Sequence, residues 1–95
     1  MKTISIVVPT PLRQYTDGRD TVQVAASTVS EALAALTDQH SALKSHLYSE
    51  DGQLRSFVNI YLNDEDVRYL EEGTLARLKD GDEMRIVPSI AGGVT

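Results

Sequence analysis

Few residues in this chain have side chains that could do chemistry, and their spacing narrows the choice further. There is no cysteine, which excludes thiol nucleophiles, thiolate metal sites and disulfides. His40 and His46 are spaced i, i+6, which on one helix turns them to different faces, whereas helical metal pairs use i, i+4. They read as partly exposed helix-end histidines. Asp64, Glu65 and Asp66 form the densest carboxylate cluster, but the run lacks the glycine and closing glutamate of a calcium loop and reads as a solvated turn. No serine sits in a glycine-flanked elbow, and no glycine-rich loop carries the lysine of a phosphate cradle. What remains is the carboxyl-terminal stretch Ile90, Ala91, Gly92, Gly93, Val94 and Thr95. Without Cβ atoms, Gly92 and Gly93 make the thinnest possible chain, able to thread a channel that would reject a side chain. Extended, residues 89–93 reach about 17 Å, enough to enter another protein's active site.

The rest of the sequence reads as a scaffold for that tail. Ile4, Ile6 and Val8 alternate with Thr3, Ser5 and Val7 as in a strand, and Pro9 and Pro11 stop it. Residues 10–20 read as a loop ending in the turn pair Asp17-Gly18, and residues 21–25 as a second strand, antiparallel to the first. Thr28-Val29-Ser30-Glu31 is a capping box, in which Glu31 is expected to return a hydrogen bond to the Thr28 amide. Val29, Ala32, Leu33 and Leu36 then make one apolar helical stripe, with Leu43 and Leu47 suggesting further turns. Residues 57–62, rich in β-branched and aromatic side chains, read as a sheet-centre strand. A polar turn follows at 63–66, then a short strand at 67–69, a turn at 79–83 and a last strand at 84–87. Pro88 should end that strand or confine its continuation to a sheet edge. The order predicts an α+β fold with one main helix across a sheet.

Ninety-five residues suffice for one domain, here expected as residues 1–89 with a tail at 90–95. With only five aromatic residues, the core must be mainly aliphatic. The net charge of −5 argues against nucleic acid or an anionic membrane as partner. The alternating start of the chain is not a signal peptide and no stretch reaches membrane-spanning length, so a soluble cytoplasmic protein, monomeric when free, is expected. Eight of the fourteen acidic residues fall within 64–83. If that segment folded beside the last strand, its field would steer the tail toward a basic cleft.

The run Phe-Val-Asn-Ile-Tyr-Leu-Asn-Asp-Glu-Asp-Val-Arg (57–68), the turn Leu-Lys-Asp-Gly-Asp-Glu (78–83) and the ending Ile-Val-Pro-Ser-Ile-Ala-Gly-Gly (86–93) resemble the ubiquitin-like MoaD/ThiS sulfur-carrier family, most of all its cysteine-biosynthesis carriers. The resemblance implies a ubiquitin-like β-grasp with a mixed sheet and a flexible Gly-Gly tail. It implies no bound cofactor, but a partner of the ubiquitin-activating type that spends ATP to adenylate the Gly93 carboxylate and exchanges the adenylate for sulfur. The resulting thiocarboxylate would attack an aminoacrylate held by a pyridoxal-phosphate cysteine synthase, and a metalloprotease would free the cysteine. Gly92, Ala91 and Ile90 would thread the tail. Thiamine or molybdopterin synthesis, and conjugation to target lysines through Gly93, are the alternatives. One departure matters: Val94 and Thr95 follow the glycines, so the Gly93 carbonyl is an amide as written. A cut between Gly93 and Val94 by a JAMM-type metalloprotease is therefore expected before activation.

Overall fold

The structure, a computed structural model, describes residues 2–55 and 58–88. Five strands form one mixed sheet: β1 (Lys2–Val7), β2 (Thr21–Ala26), β3 (Val58–Leu62), β4 (Glu65–Asp66) and β5 (Glu83–Pro88), in the spatial order β2-β1-β5-β3-β4. β1 and β2 pair antiparallel from Lys2↔Ala26 to Val7↔Thr21, as the alternation required. β5 lies in the middle, parallel to β1 and antiparallel to β3.

One sheet face is aliphatic and carries the helix α1 (Val29–Gln39). Period-2 alternation sends Ile4 and Ile6 of β1, Val22 and Val24 of β2, Ile60 of β3, and Met84 and Ile86 of β5 into the core. The α1 stripe Val29, Ala32, Leu33 and Leu36 meets them, all essentially without exposure. Leu43 and Leu47, in a 3-10 turn (Ser41–Leu43) and the short helix α2 (Lys44–Leu47), close the same core. Among the described residues no helix is long and apolar enough to cross a membrane.

Four details differ from the sequence-based expectations. The Thr28 hydroxyl accepts from the Glu31 amide at 3.2 Å as foreseen, but the Glu31 carboxylate accepts from the amide of Ser27, not Thr28, at 2.9 Å. The loop at 10–20 contains a 3-10 turn, Thr10–Tyr15, entered through Pro9 and Pro11, whose fixed φ suits a first helical turn. The short strand is Glu65–Asp66 rather than residues 67–69. Residues 67–69 instead form a 3-10 turn, because the Asp66 carboxylate caps it by accepting from the Arg68 amide at 2.9 Å. Finally, β3 is next to the edge rather than at the centre, covered outside only by the two-residue β4, while Phe57 lies outside the described residues.

Candidate functional site

The residues expected to do chemistry, Ile90, Ala91, Gly92, Gly93 and Val94, lie outside the described residues. The structure does show how the chain is brought to them. β5 is held on both sides over its first half, where Ser5, Ile6 and Val7 pair with Glu83, Met84 and Arg85. The β3 ladder runs on from Leu62↔Met84 to Val58↔Pro88. Pro88 therefore falls where only the β3 side of β5 is paired, a position that tolerates a missing N–H. This refines the expectation for Pro88, which ends a central strand rather than running along an edge.

The start of β5 is fixed by polar clasps. Asn63 and Asp64 turn the chain between β3 and β4 with φ of 49° and 76°, the left-handed pair of a type I′ hairpin. From that turn the Asn63 side-chain amide donates to Asp82 Oδ1 at 3.0 Å, while its oxygen accepts from the Glu83 amide at 3.1 Å. Asp82 Oδ2 also accepts from the Lys79 amide at 2.7 Å, and Asp80 Oδ1 from the Thr3 amide at 2.8 Å. These carboxylates thus satisfy backbone amides of β1 and of the 79–83 turn, at the end of β5 away from Pro88. Of the acidic 64–83 segment, Asp80, Asp82 and Glu83 stand about 17 Å of strand from the tail's root.

Asp66 also departs from the solvated-turn reading. Its side chain is 7% exposed and is bound by Arg68, Nη2 to Oδ2 at 2.9 Å and Nε to Oδ1 at 3.3 Å. Those hydrogen bonds, more than bare charge attraction, hold its carboxyl below the usual aspartate range. The histidines are half-buried and far from sharing a face: His40 ends α1, while the His46 ring stacks on Tyr15 with centroids 4.1 Å apart. Among the described residues no group of three or more His, Asp or Glu side chains could hold a metal ion.

Two side chains beside the tail's root were not singled out from sequence. Arg13 and Arg85 flank an open groove of about 330 Å³ walled by Val8, Pro9, Val87 and Pro88. The exposed register of β5 could have revealed Arg85. Arg13 could not have been found, because only the 3-10 turn brings it back to β1, where its Nε donates to the Val8 carbonyl at 2.9 Å.

A mixed sheet wrapped on one helix, with the carboxyl-terminal strand in its centre, defines a ubiquitin-like β-grasp protein. The polar clasps and the groove are local elaborations of that frame. The chain belongs to the ThiS family, whose model matches residues 6–93. It is 37% identical over 92 residues to the sulfur carrier protein CysO of Mycobacterium tuberculosis, covering 95% of this chain and 98% of that protein. Its structure resembles a chain of the Amycolatopsis orientalis BexX/CysO complex with a TM-score of 0.83 and 39% identity, over 95% of this chain and 99% of the other. It also resembles small archaeal modifier protein 1 of Methanosarcina acetivorans, with a TM-score of 0.85 and 30% identity, over 98% of each chain.

Proposed function

We propose that this chain is a sulfur carrier whose working group is the carboxylate of Gly93, freed by removal of Val94-Thr95. The observation that carries the reading is where the family match stops. It ends at residue 93, the second glycine, and leaves Val94 and Thr95 beyond it.

The chemistry follows from the weakness of a carboxylate as an acyl donor. Its oxygen attacks the α-phosphorus of ATP on an activating enzyme, pyrophosphate leaves, and the C-terminal acyl group now carries AMP as a good leaving group. A sulfur nucleophile delivered by that enzyme system adds to the acyl carbon and expels AMP, leaving a thiocarboxylate anion. Its sulfur then forms a C–S bond to the aminoacrylate of a pyridoxal-phosphate cysteine synthase, and hydrolysis of the acyl link by a metalloprotease releases cysteine. The chain's part is presentation: a rigid sheet carries a slim, anionic tail into each partner in turn, where the site excludes water.

The test compares the full chain with one ending at Gly93 in ATP-dependent adenylation by the activating enzyme. Only the shorter chain should exchange pyrophosphate. Equal activation of both would overturn the processing step. The likeness to an archaeal modifier protein supports a second reading, conjugation of Gly93 to lysines of target proteins. A proteomic search for Gly-Gly-marked lysines in the host separates the two.

A further inference from the structure

The groove at the root of the tail is positively charged although the chain as a whole is acidic. Among its lining residues the only charged side chains are Arg13 and Arg85, in a chain of net charge −5. We propose that this groove docks an acidic, extended segment at the rim of the enzyme that takes up the tail, with Arg13 and Arg85 as its two anchors. The proposal rests on the carrier reading only for naming that enzyme.

Three features favour a carboxylate-bearing peptide as occupant. A guanidinium presents five donors in a planar fork that matches a carboxylate. Arg13 uses Nε to hold the Val8 carbonyl, which fixes the side chain against β1, and among the described residues its terminal nitrogens make no hydrogen bond. Arg85 is paired only loosely, with Nη2 3.6 Å from Glu83 Oε1 and both side chains about half exposed, so an incoming carboxylate can displace that contact. Beside the two arginines the half-buried Pro9, Val87 and Pro88 give the groove an apolar side, with Thr10 as its polar one, which suits the methylene stem of a glutamate lying in the groove.

The surroundings add to this. Asp80 and Asp82 are held at the opposite end of β5 by the Thr3 and Lys79 amides, and Glu83 is the one carboxylate that reaches an anchor, through the 3.6 Å contact with Arg85 that an incoming carboxylate must displace. Asp17 and Arg19 line a separate recess, and the Asp20 backbone carbonyl accepts from the Val8 amide at 2.8 Å. An acidic rim closing on the groove would align the chain so that residues 89–93 enter the channel first, raising the rate of productive encounter.

The test is an amide and arginine-Nε NMR titration of the full chain with a tetraglutamate peptide at low ionic strength. Saturable shifts are expected at Val8, Arg13, Arg85 and Val87. Arg85→Glu should weaken binding about fivefold, the upper range for one exposed ion pair. Lys79→Glu, at the other end of β5, should change it less than twofold. Arg13→Lys, which keeps the charge but not the fork, should weaken binding while leaving the rest of the spectrum in place. The proposal is overturned if shifts spread equally to Lys44 and Arg55, or if inorganic phosphate at matched ionic strength produces the same shifts at the same affinity. Because the probe is a peptide, either result is independent of whether Gly93 carries sulfur.

Discussion

Asn63 is the residue through which the register of the last strand can be tested. Its side chain makes two hydrogen bonds to the Asp82-Glu83 corner, and its own φ is +49°. Replacing it with alanine removes both bonds, about 0.5–1.5 kcal/mol each. It also forces a Cβ-bearing residue without a helpful side chain into the left-handed region, about 1–2 kcal/mol more. The sum is about 2–5 kcal/mol, a large share of the 5–15 kcal/mol typical of a whole domain. Asn63→Gly loses the same bonds but relieves the backbone term, so it should cost about 1–3 kcal/mol, less than alanine at the same position. Urea unfolding followed by circular dichroism measures both, and the m-values should match that of the parent. The reasoning fails if the two variants are equally stable, because the backbone contribution would then be absent. It fails equally if alanine costs under about 0.5 kcal/mol, because the clasp would then contribute nothing measurable.

Other substitutions test the remaining supports. Thr28→Ala should cost about 1 kcal/mol by removing the cap on the Glu31 amide, read from the same unfolding curves; no loss would mean the cap is idle. Leu36→Ala, in the stripe that joins α1 to the sheet, should cost about 2–5 kcal/mol and lower Tm by about 10 °C or more, and a smaller effect would show that the site collapses around the cavity. Arg68 lowers the Asp66 carboxyl's folded-state value, so this pair stabilises fully above the unfolded value near about 4 and fades as pH falls through the lower folded one. Asp66→Asn should reduce stability at neutral pH and flatten the acid limb below about pH 4. The effect is modest because Arg68 is 57% exposed and water screens the pair; an unchanged acid slope would refute the assignment.

The elements legible in the sequence were those set by local periodicity. Alternation of Ile4, Ile6 and Val8 against polar neighbours, and the helical stripe from Val29 to Leu36, each point to one buried face, and both faces are buried as read. What was not legible depends on how particular side chains turn back on the backbone, which periodicity does not report. Asp66 looked like one more solvated acid until Arg68 folded back on it, and that fold turned an expected strand into a 3-10 turn. In the acidic segment the sequence showed charge alone, whereas Asp80 and Asp82 also hold the amides of Thr3 and Lys79. Arg13 carried no signal, since its place beside β5 depends on a 3-10 turn entered through two prolines. The tail itself was read from chemistry alone: two glycines, a carboxylate they could present, and two residues in the way.

The central claim, that this β-grasp chain carries sulfur on Gly93, is tested most directly by the intact mass of the protein purified from its own cells. The account predicts a species lighter by Val-Thr in which, in a fraction of molecules, one oxygen has been exchanged for sulfur. A full-length mass under every growth condition, with Val94-Thr95 still attached, would contradict it.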